Sequence, residues 1–439
     1  MDLIKTETVA HAETTASTTV RRSLAVWFED ERVGTLVTDQ GVWEFRYHPD
    51  WIASPKAFVL SPHFQLRSDS FVDTADDRRV RWFFDNLLPE GGVRQALARL
   101  AKVDENDAFG LLTRYGDESA GALTFLPDDG RAPALGGYRE LSTEELKALL
   151  RKLPEVPLIA AKGRARMSLA GAQHKLGLHR ENERWLLPTS GSSSVIIKPD
   201  NTRKEFPHCP ANEHFCCRLA QTVGVVVPRS ELVHLPEPIY VIERHDRLVE
   251  EGRVHRRHQI DLCQVLNRWP RFKYESDGGV SVEAAYGALQ ATRQPARSRS
   301  QFLRWFVFNY LIGNSGAHAK NISFLVSPGR IDLAPAYDLL CVRAYGSDYD
   351  YMAMSIASET RYGWIEKAQW DALAATLNVP AALLTRVRRE LATIVPQEAK
   401  TLLTRQASVA SFRKNEREFL TEVVAVIETH ASYMKETLW

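Results

Sequence analysis

The stretch Ile312–Asn321, IGNSGAHAKN, directly follows the most apolar helical pattern of the chain, SRSQFLRWFVFNYLIGN (298–314). A buried helix that runs out into a short polar loop suits phosphoryl transfer, where positioned polar groups orient a nucleophile and hold a metal ion. In kinases a loop aspartate takes the nucleophile's proton, and an asparagine five residues later binds the metal. Counting back five from Asn321 reaches Gly316, which offers no proton acceptor. Loss of such a group costs about 10²–10⁴ in rate. The loop therefore reads as catalytic with its centre missing, and the question is whether the remaining parts of a nucleotide cleft are present.

Each part has a candidate. Lys198 ends the strand-like run SVIIK, so its ammonium can emerge from a rigid element toward phosphates. Glu213 lies early in the helical pattern NEHFCCRLAQTVGV (212–225) and can hold that lysine. Asn321 can bind a metal through its amide oxygen, and Asp338, in APAYDLL, seventeen residues later, can bind the same ion through its carboxylate. Magnesium takes few protein oxygens plus substrate phosphates, which suits this pair. Taken singly, each residue has a plainer reading. Lys198 would be solvated, Asp338 would cap a turn or helix, His318 would be a hydrogen-bonded structural residue, and Asn321 would satisfy loop backbone.

The rest of the chain supplies the setting. With 439 residues it is long for one domain, and 44% hydrophobic and 25% charged residues are ordinary for a globular protein. A net charge of +1 creates no global field for nucleic acid or acidic lipid. The five cysteines (209, 216, 217, 263, 341) include no Cys-x-x-Cys pair, which argues against a zinc cluster or disulfide framework and fits reduced thiols in a cytoplasm. Cys216 and Cys217 fit helix packing better than reactivity. No apolar run approaches the ~20 residues of a spanning helix. The Thr- and Ala-rich start, MDLIKTETVAHAETTASTTV, has no apolar signal core and reads as a mobile tail over 1–21.

A small α+β domain follows, over 22–138. SLAVWFEDERVGTLVTD alternates across a turn at Glu29–Glu31 as a hairpin, VWEFRYHPDW adds a strand, and residues 77–103 read as two helices broken at Leu87–Gly92. PDDGRAPALGGY (127–138) is a connector. Short apolar runs (KLGLHR, RWLLP, SVIIKPD, IYVIERHD) make 139–250 a strand-rich lobe. Residues 251–439 are expected to form an all-helical lobe, apart from a hairpin pattern in NISFLV and RIDLAP. No zinc set, Walker A run or Gly-x-Ser-x-Gly elbow is present, which leaves a nucleic-acid enzyme with little support. The basic run RVHRRH (253–258) reads as a solvated face.

These residues resemble the HipA family of bacterial toxin–antitoxin serine/threonine kinases from about residue 22 to 430. FFDNLLPEG (83–91), SLAGAQHKLGL (168–178), IIKPD, NEHFCCRLA, VIERHDR, HQIDLCQVL, KYESDGG, LIGNSGAHAKNISFL and PAYDLL follow in family order. The resemblance implies an α+β, protein-kinase-like bilobal fold with an extra N-terminal domain, ATP with Mg²⁺, and transfer to a protein serine or threonine. It implies that Lys198 meets ATP phosphates, that Glu243 lies at the hinge beside adenine through its backbone, and that Asn321 and Asp338 hold the metal. Ser168 matches the family's autophosphorylation serine, although a turn hydroxyl is its plainer reading. His318 and Lys320 would support the catalytic loop or the transferring phosphate. The family also implies translation-related targets, notably aminoacyl-tRNA synthetases. Its partner is a small helix-turn-helix antitoxin that binds operator DNA as a dimer.

The family loop reads Asn-x-Asp-x-His-x-Lys-Asn; here it reads Asn314-Ser315-Gly316-Ala317-His318-Ala319-Lys320-Asn321. Only the proposed base is missing, which resembles a point inactivation more than drift. An introduced Asp→Gly change and a natural pseudokinase acting as an antitoxin-binding co-repressor both fit this pattern.

Overall fold

The computed structural model describes residues 21–153, 174–200, 205–405 and 412–438. The 1–20 part of the expected tail and Ser168 lie outside the described residues. The first sheet comprises β1 (Arg22–Phe28), β2 (Glu31–Asp39), β3 (Val42–Tyr47), β4 (Phe71–Val72) and β5 (Leu123–Pro127), in the order β4-β3-β2-β1-β5 with every neighbouring pair antiparallel. Alternation drives it: Leu24 and Val26 pair with Leu36 and Gly34 on the buried face. Four helices cover the domain: α1 (Pro49–Ala53), α2 (Arg79–Asp85), α3 (Gly91–Ala101) and α4 (Ala108–Tyr115).

The second sheet runs β10-β11-β9-β7-β8-β6, again antiparallel throughout. Its strands are β6 (Tyr138–Leu141), β7 (Leu176–Glu181), β8 (Arg184–Pro188), β9 (Val195–Pro199), β10 (Ser230–Leu235) and β11 (Glu237–Glu243). Helix α5 (Thr143–Lys152), closed by a Ser142/Glu145 capping box, places Leu146 and Leu150 in an apolar cluster with Leu176, Leu178, Val195, Ile197 and Val241. Helix α6 (Cys209–Thr222) belongs to the other large cluster through Ala211, Phe215 and Leu219.

The remaining lobe is mainly helical rather than all-helical. A hairpin, β12 (Arg247–Glu250) with β13 (Arg253–Arg256), precedes a three-stranded sheet of β14 (His258–Asp261), β15 (Ser323–Ser327) and β16 (Arg330–Leu333). The 323–333 hairpin pattern gains a third strand because His258–Asp261 pairs with Ser323–Val326, more than sixty residues away, a partner that leaves no local mark. β17 (Tyr351–Ile356) and β18 (Glu359–Arg361) form a last pair. The helices are α7 (Leu262–Val265), α8 (Val282–Ala288), α9 (Pro295–Leu311), α10 (Lys367–Thr376), α11 (Ala381–Thr404) and α12 (Lys414–Glu436). From Trp305 to Leu311 every residue of α9 is buried. All five cysteines are buried and unpaired.

A single apolar cluster runs from Leu24 and Phe45 of the first domain through Ile260 and Phe306 to Met434, so the first domain and the helical lobe share one core. A buried charge cluster ties that domain to the end of β11. Arg244 donates to Asp246 Oδ1 (2.9 Å) and Oδ2 (2.6 Å) and to Glu118 Oε1 (3.2 Å). Arg247 reaches Asp246 Oδ2 (3.0 Å) and the Gly121 carbonyl (2.8 Å), while the Gly121 N–H donates to Asp246 Oδ2 (2.7 Å). Burial would raise the Asp246 carboxyl, but Arg244 and Arg247 outweigh it and hold it far below the carboxylate range. The basic run RVHRRH is a solvated face only in part. Arg256 donates to Ser192 and to the carbonyls of Asp117 and Leu123, His258 is buried against Leu60 and stacked on Phe58, and only Arg253 and Arg257 are exposed.

Removing one charge from this dry cluster leaves its partners uncompensated. Asp246→Asn is expected to destabilise the protein by about 3–5 kcal/mol, read as a lower denaturant midpoint. A midpoint within experimental error of the unaltered chain would show that the cluster contributes no net stability.

Candidate active site

Between the six-stranded sheet and the helical lobe lies a cleft of about 340 Å³. Strand β9 alternates: Ile196 and Lys198 line the cleft while Val195 and Ile197 join the cluster on the opposite face. Helix α6 lies against the same sheet and turns Glu213 toward the strand. Lys198 Nζ donates to Glu213 Oε1 (2.8 Å) and Oε2 (3.0 Å) and to Asp338 Oδ1 (2.6 Å). Asp338 Oδ2 accepts from Asn321 Nδ2 at 3.3 Å. Lys198, Glu213, Asn321 and Asp338 thus form one hydrogen-bonded chain across the cleft.

Burial alone would depress Lys198, but Asp338 and Glu213 overcome it and keep the ammonium firmly charged. Asp338 is held far below the carboxylate range, against burial, by Lys198 first. Burial pushes Glu213 up to about 7; Lys198 opposes the shift and the nearby Asp338 charge reinforces it. Asp338 has left-handed backbone, φ 59°, unusual outside glycine, and Asn314 Nδ2 clamps its carbonyl at 3.1 Å.

The loop before Asn321 is held through backbone. The Gly316 N–H donates to Asn314 Oδ1 (3.2 Å), and the Gly316 carbonyl accepts from Asn321 Nδ2 (2.9 Å). Gly316 is not left-handed, and a Cβ there would meet only Asn314 Oδ1 at 3.3 Å and Val342 Cγ2 at 3.9 Å. A side chain therefore fits at 316 with a few tenths of an ångström of adjustment.

The donor set fits a divalent cation. Gly316 fixes the amide NH₂ of Asn321, which leaves its oxygen as the acceptor. The Asp338 side chain is 36% exposed, and its Oδ2 accepts the long Asn321 contact. A carboxylate and an amide oxygen, with further oxygens from phosphate and water, satisfy a magnesium-like ion.

Two expected roles are narrowed. Of the two roles open to Lys320, its contacts are those of loop support. Its ammonium donates to Asn86 O (2.9 Å), Asn86 Oδ1 (2.8 Å) and Asp261 Oδ2 (2.6 Å), which uses all three donors and ties the loop to the first domain. Glu243 lines the cleft with an exposed side chain, and its N–H already donates to the Arg229 carbonyl (2.9 Å), so only its carbonyl side remains for a base. His318 does line the cleft, edge-on to Tyr274 at 4.9 Å. Burial, then Lys273, pushes its ring down to about 4, so it is neutral near pH 7.

Other cleft residues were not anticipated. Lys175 comes from the SLAGAQHKLGL stretch, only seven residues after Ser168. Burial, then repulsion from Lys198, lowers its ammonium to about 8. Glu90 and Asn86 come from the FFDNLLPEG stretch, and Lys273 (in KYESDGG) pairs with Glu90 at 2.5 Å. Both stretches stand out in the sequence, but their side chains meet the loop only through tertiary packing.

Residues 167–399 match the family model described as "HipA-like C-terminal domain", and residues 24–126 match "HipA N-terminal domain". A putative kinase, Y4mE, of Sinorhizobium fredii is 34% identical over 87% of this chain and 91% of its own length. The serine/threonine-protein kinase toxin HipA of Shewanella oneidensis is 28% identical over 96% of this chain and 98% of its own. The solved complex of Shewanella oneidensis MR-1 HipA with HipB and operator DNA contains a chain that superposes with a TM-score of 0.79 at 27% identity, covering 94% of this chain and 99% of that one.

If Lys320 is a structural tie, Lys320→Met strands the Asp261 carboxylate and the Asn86 acceptors. It should cost about 3–5 kcal/mol in chemical denaturation. Unchanged stability would return Lys320 to the list of phosphate-binding candidates.

Proposed function

As the chain belongs to the HipA family, we propose that it is the serine/threonine kinase toxin of a type II toxin–antitoxin module, with its transfer step crippled at Gly316. The observation that carries this reading is the Lys198–Glu213–Asp338–Asn321 chain across one cleft. Lys198 and Lys175 would hold the ATP phosphates, and Ile196, Ile242 and Leu340 would pack on the adenine, with the Glu243 carbonyl at its edge. Asp338 and Asn321 would hold Mg²⁺, which supplies neutralisation of phosphate charge when bound. Phosphate would pass to a translation-related protein, in the family manner an aminoacyl-tRNA synthetase, and to Ser168, in a cytoplasmic setting. A negative phosphate on a loop that must approach ATP would repel the nucleotide or redirect the loop.

The proposed partner is a HipB-like helix-turn-helix antitoxin dimer that carries the contact with operator DNA. Near-complete superposition on the HipA of a HipA–HipB–DNA complex supports this. In the same run at 253–258, Arg256 and His258 are engaged within the chain, while Arg253 and Arg257 are exposed. The gap at Gly316 also supports a second reading, a natural pseudokinase that serves as antitoxin-binding co-repressor.

Two measurements test the reading. ATP with Mg²⁺ should bind in calorimetry, and near pH 8 binding should take up protons, because phosphates favour the charged form of Lys175 that burial disfavours. Lys175→Met should abolish that uptake, and the absence of binding heat at saturating nucleotide would sink the cleft assignment. Gly316→Asp should raise phosphate incorporation, including at Ser168, by about 10²–10⁴. A Gly316→Asp chain that stays unphosphorylated would favour the co-repressor.

A further inference from the structure

Among the described residues, three buried polar atoms of cleft-lining side chains have no hydrogen-bond partner: His245 Nε2, on a ring stacked against Tyr337, and Glu90 Oε1 and His318 Nδ1. Glu90 is the N-cap residue of α3 and makes no capping hydrogen bond. Its side chain is turned into the cleft instead. Oε2 is held by Lys273 at 2.5 Å, and Oε1 stops 3.8 Å short of Lys320 Nζ, whose donors are already used. Glu90 is thus ion-paired, but its Oε1 receives no hydrogen bond among the described residues and can accept one from a ligand. His318 lines the same cleft as Glu90 and Asp338. An imidazole nitrogen can donate or accept a hydrogen bond, according to its tautomer.

An unpartnered acceptor and a nearby ring nitrogen in one cleft complement an alcohol, which donates through its hydrogen and accepts through a lone pair. We propose that Glu90, supplied by the first domain, is the proton acceptor for the protein serine or threonine hydroxyl in this chain, with His318 positioning that hydroxyl. This rests on the kinase reading above and deepens it. In the step, the hydroxyl oxygen forms a bond to the γ-phosphorus and the bond from that phosphorus to the β,γ-bridging oxygen breaks, releasing ADP. The hydroxyl proton passes to Glu90 Oε1. Lys273 keeps the carboxylate ionised and ready to accept. Gly316 then slows transfer without abolishing it.

The test uses four full-length chains with ATP–Mg²⁺: unaltered, Glu90→Gln, Gly316→Asp, and both together. Phosphate gained by the chain is followed by intact mass, and affinity for a non-hydrolysable ATP analogue and thermal midpoint are measured alongside. Glu90→Gln keeps an acceptor for Lys273 through its amide oxygen, so affinity should hold, and transfer is compared at a temperature below the lowest of the four midpoints. The unaltered chain should show slow transfer that Glu90→Gln lowers by roughly 10²-fold. In the Gly316→Asp background the same change should cost at least tenfold less, because the two carboxylates serve one proton. Equal losses in both backgrounds would mark Glu90 as merely structural and overturn the proposal. So would slow transfer indifferent to Glu90→Gln, or transfer found only in the Gly316→Asp chains. If no chain transfers phosphate although the analogue binds, the kinase reading fails and this proposal fails with it.

Discussion

One buried ammonium organises the cleft. Lys198 cannot leave water without compensation, and Glu213 and Asp338 supply it from two different parts of the chain. The strand fixes the lysine, the helix against it fixes one carboxylate, and the left-handed turn at 338 delivers the other. Two carboxylates share one cation, and burial raises Glu213 to about 7 while it lowers Lys175 to about 8, so the charge of the cluster depends on pH near neutrality. With carboxylates and ammoniums side by side, the cluster suits something that brings both signs, and a phosphate chain with its metal ion does so. A metal on Asp338 would release Lys198 from that carboxylate and free it to meet phosphate.

The cleft has three walls. The first domain shares its core with the helical lobe, and its Asn86 receives Lys320 from the middle of the loop. The Glu118–Arg244–Asp246–Arg247 cluster fastens the same domain to the strand end beside the nucleotide cleft. Both ties are buried and charged, so both resist the small displacements that loosely packed surfaces allow. Loop, strand end and first domain are held in one register, and Glu90 enters the cleft as a consequence.

The features legible in the sequence were those with a local signature. The Arg22–Asp39 hairpin, the break between α2 and α3, buried α9 and the lysine that ends β9 each follow from alternation, helical spacing or turn residues within a few positions. Glu213 was legible as the lysine's partner because it lies early in the helix that follows the strand, whereas Asp338, read as a metal ligand, was not expected to pair with Lys198. Pairings across long separations were not legible. Lys320 meets Asn86 across 234 residues and Arg244 meets Glu118 across 126, and neither leaves a periodic trace. The same limit misled the reading of RVHRRH: charge density in a row says nothing about whether Arg256 has found carbonyls to bury against.

Gly316 gains its meaning from what surrounds it. The loop's geometry is fixed by backbone groups of residue 316 and by the side chains of Asn314 and Asn321, none of which needs a side chain at 316. The space for one is present and the backbone is ordinary, so glycine is not there to relieve crowding or to reach a left-handed turn. The hydrogen bonds that hold the loop therefore do not depend on a side chain at 316, and the Asn321–Asp338 contact, the paired lysine and the clamped loop are all present around this glycine. The missing carboxylate concentrates the question of activity on whichever other oxygen in the cleft can accept a proton.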